Sequence, residues 1–301
     1  MTAEAFTIHR DAAGPHAGVA VVRLEQPGKP VVVLDLDLFR RLEATLRALP
    51  RDLRGLVVAS ASERVFVAGA DLNAIRDLDD AALDRYLAYG SSVFGLIADL
   101  PFPTAAAING AALGGGLELA MHCDGLIAAP PPARDGQPGK PYPVGLPEAG
   151  LAICPGWGGT NLLPARMDPS EAIRRTASGH PMTFDEAVAA GLFDRVAATS
   201  ADLIATAKAW VVEQRRAERD GSPLRWIGRG RFAASVLAAL DAVRPELPAT
   251  ASASAVADAV DVGLSRGYPA ALECERKHLV RLRHTPEARA ALEAFFAKSK
   301  R

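Results

Sequence analysis

Short apolar runs alternate with longer amphipathic stretches in the first two thirds of the chain. The runs at residues 18–24, 31–34 and 55–60 are each bounded by glycine, proline or charge, a pattern that is typical of buried strands. Leucines recur at helical spacing over residues 36–49 and predict a helix there, and a second helix is predicted over residues 81–100. Strands that alternate with helices in this way predict an α/β fold.

The pattern changes near residue 200. Before it, a strand and turn are predicted over residues 104–110, followed by a short helix over residues 117–122. After it the strand pattern stops, and residues 201–301 are rich in Ala, Leu, Glu and Arg. Prolines mark the breaks between the helices predicted there, at Pro245, Pro248, Pro269 and Pro286. We therefore predict a core over residues 1–200 and a helical region over residues 201–301.

Composition narrows the possible partners and compartments. The 301 residues are 49% hydrophobic and 23% charged, which is enough to bury a full core. The 34 Lys and Arg against 35 Asp and Glu leave a formal net charge of -1, so we expect neither a nucleic-acid nor a membrane partner. Three widely spaced cysteines fit neither a disulfide framework nor a zinc site and favour a reducing cytoplasm. The first ten residues have no apolar segment, so we expect no membrane targeting.

Two glutamates lie on glycine-rich turns. Glu118 ends the segment Gly-Gly-Gly-Leu-Glu at residues 114–118, and Glu148 ends the segment Gly-Leu-Pro-Glu at residues 145–148. The surroundings of both are otherwise apolar, and an ionised carboxylate is costly to bury unless it is paired or used. The pair therefore indicates acid/base chemistry.

Backbone N–H groups close to these turns can stabilise negative charge. The glycines at residues 114–116 precede a predicted helix, so unpaired N–H groups there lie at the positive end of the helix dipole. Residues 66–72 offer a second donor, because a strand end is followed by a glycine and by Asp71 near a predicted helix cap. Two donors aimed at one carbonyl oxygen, with two carboxylates nearby, suit proton transfer beside a thioester through an enolate.

Four segments together resemble the enoyl-CoA hydratase/isomerase (crotonase) family in order and spacing. They are Ala-Gly-Ala-Asp-Leu at residues 68–72, Ile-Asn-Gly-Ala-Ala-Leu-Gly-Gly-Gly-Leu-Glu-Leu-Ala at 108–120, Gly-Leu-Pro-Glu at 145–148 and Pro-Gly-Trp-Gly-Gly-Thr at 155–160. The resemblance covers residues 18–200 well. Beyond them, the C-terminal part is similar to the end of the hydratase domain of multifunctional fatty-acid oxidation proteins.

The resemblance implies a fold and an assembly. It implies an α/β fold in which a crotonase-like spiral of repeated ββα units is followed by a C-terminal helical region. Residues 1–200 would form the crotonase-type catalytic core, and residues 201–301 would form the region through which the chain oligomerises. The expected assembly is a homotrimer or a hexamer.

The resemblance also assigns roles to individual residues. It matches Glu118 and Glu148 to the two catalytic glutamates that hold and activate water at Cβ and handle the proton at Cα. It matches the backbone N–H groups of Ala70 and Gly115 to the thioester oxyanion hole. The residues matched to substrate binding are Lys29, Ala68, Asp71, Leu72, Gly114, Pro147 and Trp157. No metal or redox cofactor is implied, since coenzyme A is part of the acyl-CoA substrate.

Because both glutamates are present, the resemblance implies hydration of trans-2-enoyl-CoA to 3-hydroxyacyl-CoA. This is a lyase reaction of fatty acid metabolism, and we expect a cytoplasmic enzyme. One alternative is Δ3,Δ2-enoyl-CoA isomerisation, for which family members often use one carboxylate. The other is a catalytically weak scaffold of the same fold that binds acyl-CoA or RNA.

Two of the departures from the family pattern bear on the acyl pocket. An insertion at residues 130–141 precedes Glu148, and its Pro/Gly-rich composition predicts an irregular surface loop at the rim of the acyl pocket or at a subunit contact. Trp157 stands where relatives usually have a smaller residue, so we expect it to shorten or reshape the acyl pocket.

Several other residues have simpler interpretations. We predict that His122 is a hydrogen-bonded core histidine and that Cys154 is a small buried hydrophobe. The Arg-rich residues 215–231 include interspersed acidic residues, which favour a solvated helix face over a nucleic-acid site. Residues 295–296 are two phenylalanines that we assign to helix packing.

Overall fold

The computed structural model describes residues 4–133, 137 and 139–299. The strands are β1 (Ile8–Arg10), β2 (Val19–Leu24), β3 (Gly55–Ser60), β4 (Val65–Val67), β5 (Thr104–Ile108), β6 (Ala111–Leu113), β7 (Gly125–Ala128), β8 (Pro143–Gly145), β9 (Met182–Thr183) and β10 (Arg195–Val196). The helices are α1 (Leu36–Ala48), α2 (Leu72–Asp77), α3 (Asp80–Ala98), α4 (Gly115–Met121), α5 (Gly159–Leu162), α6 (Pro169–Ser178), α7 (Phe184–Ala189), α8 (Leu203–Glu213), α9 (Gly230–Val243), α10 (Ala251–Arg266), α11 (Tyr268–Leu282) and α12 (Pro286–Ser299).

The chain divides into two compact units. The first comprises Met1–Gly69, Ser92–Val144 and Met182–Leu224, and the second comprises Ala70–Ser91, Gly145–Pro181 and Arg225–Arg301. In the first unit a six-stranded sheet has the order β1-β2-β3-β5-β7-β10. Strand β1 pairs antiparallel with β2, and the other neighbouring pairs of this sheet are parallel. A second sheet has the order β4-β6-β8-β9.

The core of the first unit forms where the six-stranded sheet packs against α8. Every second residue of neighbouring strands points to this helix, as Val21, Val57 and Ala105 do, and the parallel register places them side by side. The helix comes close because glycines face it: a Cβ at Gly55 would overlap Val211 of α8. Apart from the exposed Arg23 in β2 and the polar Ser60 at the end of β3, strands β2 and β3 are apolar and buried, which is typical of parallel strands that are covered on both faces.

The described part of the second unit is built mainly of helices. Its core joins α6, α9 and α10, with buried side chains at Ile173, Val236, Leu240 and Val260. Helix α6 begins after Asp168, whose side chain accepts from the Glu171 N–H, and α10 begins after Thr250, which caps it in the same way. Amphipathic faces and side-chain caps thus account for these helices.

Most of the predicted elements are confirmed. The mixed α/β fold with parallel strands and a C-terminal helical region is the one expected. The helix predicted over residues 36–49 is α1, the helix predicted over residues 81–100 is α3, and the short helix begins two residues earlier than predicted, at Gly115. All described secondary structure after residue 200 is helical. The division at residue 200 into catalytic and oligomerisation regions stays a prediction.

The predicted strand at residues 31–34 is wrong. The Val33 N–H donates to the Gln26 side chain at 2.7 Å, so it is not available to a strand ladder. The segment makes single backbone bonds instead: Val32 accepts from the Ala68 N–H, and the Leu34 N–H donates to Gly69. An apolar run without a continuous backbone partner remains irregular.

The helix face predicted over the Arg-rich residues 215–231 is also wrong. Helix α8 ends at Glu213 and α9 starts at Gly230, and the intervening chain is irregular. Within the first unit, Arg219 forms a bidentate ion pair with Asp124 at 2.7 and 2.8 Å, and both side chains are about nine-tenths shielded from solvent. Arg216 donates to the Leu53 carbonyl at 2.8 Å. These two arginines therefore hold the irregular segment between α8 and α9 against the rest of the first unit.

The structure also bears on two buried side chains, on the insertion and on membrane-spanning helices. His122 and Cys154 are both buried, as predicted. Within the insertion at residues 130–141, positions 134–136 and 138 lie outside the described residues, so the predicted rim loop stays a prediction. Among the described residues, no helix is both long enough and apolar enough to cross a membrane.

Candidate active site

Glu118 is positioned by a short helix that follows a glycine turn. Helix α4 begins after Gly114, whose φ of 52° and ψ of −127° favour glycine. One residue into the helix, a Cβ at Gly116 would overlap the carbonyl oxygen of Val67, so only glycine lets α4 approach β4 this closely. Glu118 lies in the first turn of α4 and is 1% exposed. The sequence thus places a buried carboxyl group next to the helix start.

The helix around Glu118 is held by core contacts of the first unit. The His122 ring contacts the Glu118 carbonyl oxygen through Nδ1 at 2.8 Å. A carbonyl only accepts, so Nδ1 is the protonated nitrogen in this contact. The ring also packs on Phe94, with centroids 5.3 Å apart. His122 is therefore a hydrogen-bonded core histidine that supports the helix carrying Glu118.

One of the two N–H groups proposed for the oxyanion hole begins a short helix, and the other lies just before one. Gly115 is the first residue of α4, where N–H groups have no partner within the helix. Ala70 precedes Asp71, the cap of α2, whose side chain accepts from the Asn73 N–H at 3.0 Å. The Asp71 cap predicted from the sequence is confirmed. The Gly115 N–H lies at the positive end of α4, and the Ala70 N–H lies one residue before the cap of α2.

Glu148 opens a 3-10 turn, Glu148–Leu151, in the second unit. The Gly150 N–H donates to the Pro147 carbonyl at 2.9 Å, and Ala152 closes the turn in the left-handed region, with φ of 56°. A Cβ at Gly179, the C-cap of α6, would overlap the backbone of Gly150. This close approach of two glycines holds the turn that carries Glu148 against the end of α6.

The Glu148 carboxyl group is shielded although the residue as a whole is half-buried. Its Oε2 atom is buried and has no hydrogen-bond partner among the described residues. Burial raises the pKa of Glu148 above its ordinary value, because the charged form loses its hydration, and the negative charge of Glu275 raises it further. Glu148 therefore keeps a proton at a pH where an exposed glutamate is ionised.

Glu275 is a buried acid that the sequence interpretation did not single out. Its side chain is fully buried on α11 and accepts from the Gly158 N–H and from the N–H and hydroxyl of Thr160. A signal was present in the sequence, because Ala271, Glu275 and Leu279 recur at helical spacing and form the buried face of α11. A carboxylate within such an apolar stripe is a marker of a paired or functional group.

The predicted site residues divide between the two units. Those in the first unit are Lys29, Ala68, Gly114, Gly115 and Glu118, and those in the second unit are Ala70, Asp71, Leu72, Pro147, Glu148 and Trp157. Lys29 forms an ion pair with Asp35 at 2.6 Å and remains half-exposed. The Trp157 ring is buried, donates through Nε1 to the Leu87 carbonyl at 2.9 Å and contacts Tyr86 edge to face.

One group of side chains in the second unit has the donor types of a metal site. Ligand atoms of Asp258, Cys274 and His278 lie within 4.8 Å of one another. Arg281 approaches His278 Nδ1 at 3.0 Å and can only donate, so the proton of the neutral ring lies on Nε2, which contacts Asp258 at 2.7 Å. His278 Nε2 and Cys274 Sγ therefore both contact the Asp258 carboxylate, at 2.7 and 3.4 Å, and the three side chains form a hydrogen-bonded surface cluster.

The site residues supply three chemical capabilities. A buried carboxyl group with a raised pKa can donate a proton, a second carboxyl group at a helix start can accept one, and backbone N–H groups at or near helix starts can stabilise an oxyanion. The chain matches the family described as enoyl-CoA hydratase/isomerase over residues 14–220. It belongs to this family.

Solved structures support the same fold. An enoyl-CoA hydratase from Bacillus anthracis is 26% identical, with 97% of this chain and 96% of that chain covered and a TM-score of 0.58. An enoyl-CoA hydratase from Geobacillus kaustophilus is 22% identical, with coverages of 98% and 94% and a TM-score of 0.60. The human mitochondrial delta3-delta2-enoyl-CoA isomerase is 21% identical, with coverages of 99% and 98% and a TM-score of 0.69.

Proposed function

We propose that the protein hydrates trans-2-enoyl-CoA to 3-hydroxyacyl-CoA. The observation that carries the proposal is the environment of Glu148, whose Oε2 atom is buried without a partner among the described residues. Hydration needs a group that delivers a proton to Cα, and a carboxyl group with a raised pKa is such a group at neutral pH. The chain also keeps a second buried carboxyl group, Glu118, which can accept the proton of water.

The proposed reaction balances without an external acid or base. Water loses a proton to the Glu118 carboxylate while its oxygen bonds to Cβ, and Glu148 gives a proton to Cα. The two carboxyl groups exchange their protonation states and are reset through solvent. Negative charge that builds on the thioester oxygen is stabilised by the N–H groups of Gly115, the first residue of α4, and of Ala70, which precedes the cap of α2.

The remaining parts of the proposal concern binding and setting. The acyl-CoA thioester is bound by Lys29, Ala68, Asp71, Leu72, Gly114, Pro147 and Trp157. The reaction uses no metal or redox cofactor, since coenzyme A arrives with the substrate. The proposed assembly is a homotrimer or hexamer, and the proposed role is in fatty acid metabolism in the cytoplasm, a setting that fits three free cysteines.

The family description supports one alternative, because it names isomerases beside hydratases. An isomerase moves a proton between Cα and Cγ of a 3-enoyl-CoA, and a single carboxyl group can carry that proton. In that case Glu148 would suffice and Glu118 would be dispensable. A scaffold that binds acyl-CoA or RNA would need neither carboxyl group.

The test is to incubate the purified protein separately with 2-enoyl-CoA and 3-enoyl-CoA of short and long chain, and to identify the products by mass spectrometry. The proposal predicts a product heavier by one water from the 2-enoyl-CoA. Conversion of 3-enoyl-CoA to 2-enoyl-CoA without hydration would favour the isomerase. Binding of both thioesters without turnover would favour the scaffold.

A further inference from the structure

Glu275 is a fully buried acid in the second unit that the proposed chemistry does not use. Both of its oxygens are occupied: Oε2 accepts from the Gly158 N–H at 2.5 Å, and Oε1 accepts from the Thr160 N–H at 2.9 Å. A third donor, the Thr160 hydroxyl, contacts Oε1 at 2.5 Å. Burial raises the pKa of Glu275 to about 7, and the three donors limit this rise because they stabilise the ionised form.

The direction of these hydrogen bonds is fixed by a neighbouring amide. The Asn161 side-chain amide donates to Thr160 Oγ1 at 2.9 Å and to the Ala259 carbonyl at 3.0 Å. The Thr160 hydroxyl accepts from this amide and donates its own proton to Glu275 Oε1. A proton on Glu275 would compete with the N–H groups of Gly158 and Thr160 for the carboxyl oxygens. The network is therefore complete when Glu275 carries a negative charge.

Glu148 has the opposite environment. Its Oε2 atom is buried and lacks a hydrogen-bond partner among the described residues, and a hydrogen bond from the residue's own backbone offsets the effect of burial only in part. The two acids interact electrostatically, and two nearby buried carboxylates resist simultaneous ionisation. The hydrogen bonds decide between them: the charge belongs on Glu275 and the proton on Glu148.

We propose that Glu275 is a positioning residue that keeps the negative charge of this pair and thereby holds Glu148 in the protonated state needed for delivery to Cα. The inference rests on the proposed function for the use of that proton. The distribution of charge between the two acids is independent of turnover and can be measured without it.

Other charged groups around the pair are engaged elsewhere or exposed. Helices α6 and α12 pack against the Glu148 turn, and their charged residues are Glu171, Arg174, Arg175, Glu287, Arg289, Glu293 and Lys298. The charged residues on the elements around Glu275 are Asp84, Asp258, Asp261, Arg266, Glu273, Arg276, Lys277, His278, Arg281 and Arg283. Arg175 pairs with Glu171, and Arg276 pairs with Asp84. Within the described residues, Glu275 is the charged neighbour whose negative charge raises the pKa of Glu148.

The experiment is an infrared titration of protonated carboxyl groups in the intact protein. The signal of Glu148 is assigned by its loss in Glu148→Gln. We expect Glu275→Gln to move the titration of this signal to lower pH by about one unit, because the repelling charge is gone. Glu273→Gln is the matched control: it removes an exposed carboxylate two residues away on the same helix, one that pairs with Lys277. It should leave the titration in place.

A second variant covers the case in which Glu275→Gln does not fold. Thr160→Val removes the hydroxyl donor and keeps the side-chain shape, and Asn161 keeps its bond to Ala259. Since Glu275 would then hold its charge less firmly, the Glu148 titration should shift in the same direction by a smaller amount. Circular dichroism verifies the fold of each variant.

The outcomes separate this inference from the proposed function. A protonated signal that disappears in Glu275→Gln and persists in Glu148→Gln would place the proton on the wrong acid and overturn the inference. An unmoved Glu148 titration in folded Glu275→Gln would also overturn it. If the protein is active, the alkaline limb of kcat/KM should follow the spectroscopic shift. A protein that shows the shift but turns over no enoyl-CoA would support the charge arrangement and refute the hydratase.

Discussion

The two candidate catalytic glutamates are held by different kinds of structure. Glu118 lies on a short helix whose position is set within the first unit by Gly116 against Val67 and by the buried His122. Glu148 lies on a 3-10 turn of the second unit, and its electrostatic partner, Glu275, comes from a helix far along the chain. The first glutamate is thus positioned mainly by its own motif, whereas the second depends on a distant residue.

The local motif determines the position of Glu118 but not the charge state of Glu148. The glycine segment that ends at Glu118 specifies both the backbone and its close packing, since glycine is needed for the backbone angles at Gly114 and for the contact at Gly116. The segment that ends at Glu148 specifies a turn but not the charge state of its carboxyl group. That state follows from burial and from Glu275, which no local pattern connects to Glu148.

The largest expected effect comes from removing either carboxyl group. Glu118→Gln and Glu148→Gln should each lower kcat for hydration by about 10²- to 10⁴-fold, because a general acid or base contributes a factor of this size. Steady-state rates and a thioester binding assay would separate lost chemistry from lost binding. Glu63→Gln, an exposed control in the first unit, should retain full activity. Equal activity of Glu118→Gln and wild type would favour the isomerase.

A smaller effect is expected from removing one oxyanion donor. Gly115 is the first residue of α4, a position at which proline is tolerated, so Gly115→Pro deletes the N–H without breaking the helix. The loss of one such donor should lower kcat by about 10²- to 10³-fold. Gly115→Ala keeps the N–H and serves as the comparison. A folded proline variant with normal turnover would exclude this donor.

The packing of the Glu118 helix can be tested by stability. Gly116→Ala should destabilise the protein by about 1 to 3 kcal/mol, because the added methyl group meets the backbone of Val67. Gly95→Ala is the matched control within a helix, since a Cβ there meets nothing within 4 Å. It should stabilise the protein by about 0.5 to 1 kcal/mol through helix propensity. Denaturant unfolding measures both, and equal effects would contradict the close approach.

The buried acids also predict a pH dependence of stability that originates in the second unit. Burial raises the pKa of Glu148 and of Glu275 above their values in the unfolded chain. The two carboxyl groups contribute fully to the free energy of unfolding at a pH below their pKa in the unfolded chain, about 4.3. This contribution is lost as the pH rises through their pKa values in the folded protein.

The thermal midpoint measured against pH checks this contribution. Wild type should lose stability over that range of rising pH, and Glu148→Gln should show a flatter profile. Glu63→Gln should reproduce the wild-type profile. A wild-type midpoint that rises steadily with pH, together with an unchanged profile in Glu148→Gln, would show that the buried pair does not govern this dependence.

Much of the fold could be predicted from the sequence, because apolar periodicity and glycine placement are local properties. They gave helix α1, strand β3 and the helix start at the glycine triplet. The run at residues 31–34 was misjudged because the Gln26 side chain takes the Val33 N–H, a contact that apolarity does not encode. The Arg-rich segment was misjudged because Arg219 is bound to a distant partner, Asp124.

The candidate site could be predicted in part. The positions of Glu118 and Asp71 at helix starts followed from local residue types. Glu275 was overlooked because its importance arises from tertiary packing: its three donors come from Gly158 and Thr160, more than a hundred residues earlier in the chain.

The most direct test of the central claim is the fate of solvent atoms in the product. Purified protein is incubated with a 2-enoyl-CoA in water labelled with both ¹⁸O and deuterium, and the product is analysed by mass spectrometry at early conversion. Addition of water across the double bond predicts one ¹⁸O on Cβ and one deuterium on Cα, at a rate that falls steeply in Glu118→Gln and Glu148→Gln. Deuterium in recovered enoyl-CoA without any ¹⁸O in the products would contradict hydration.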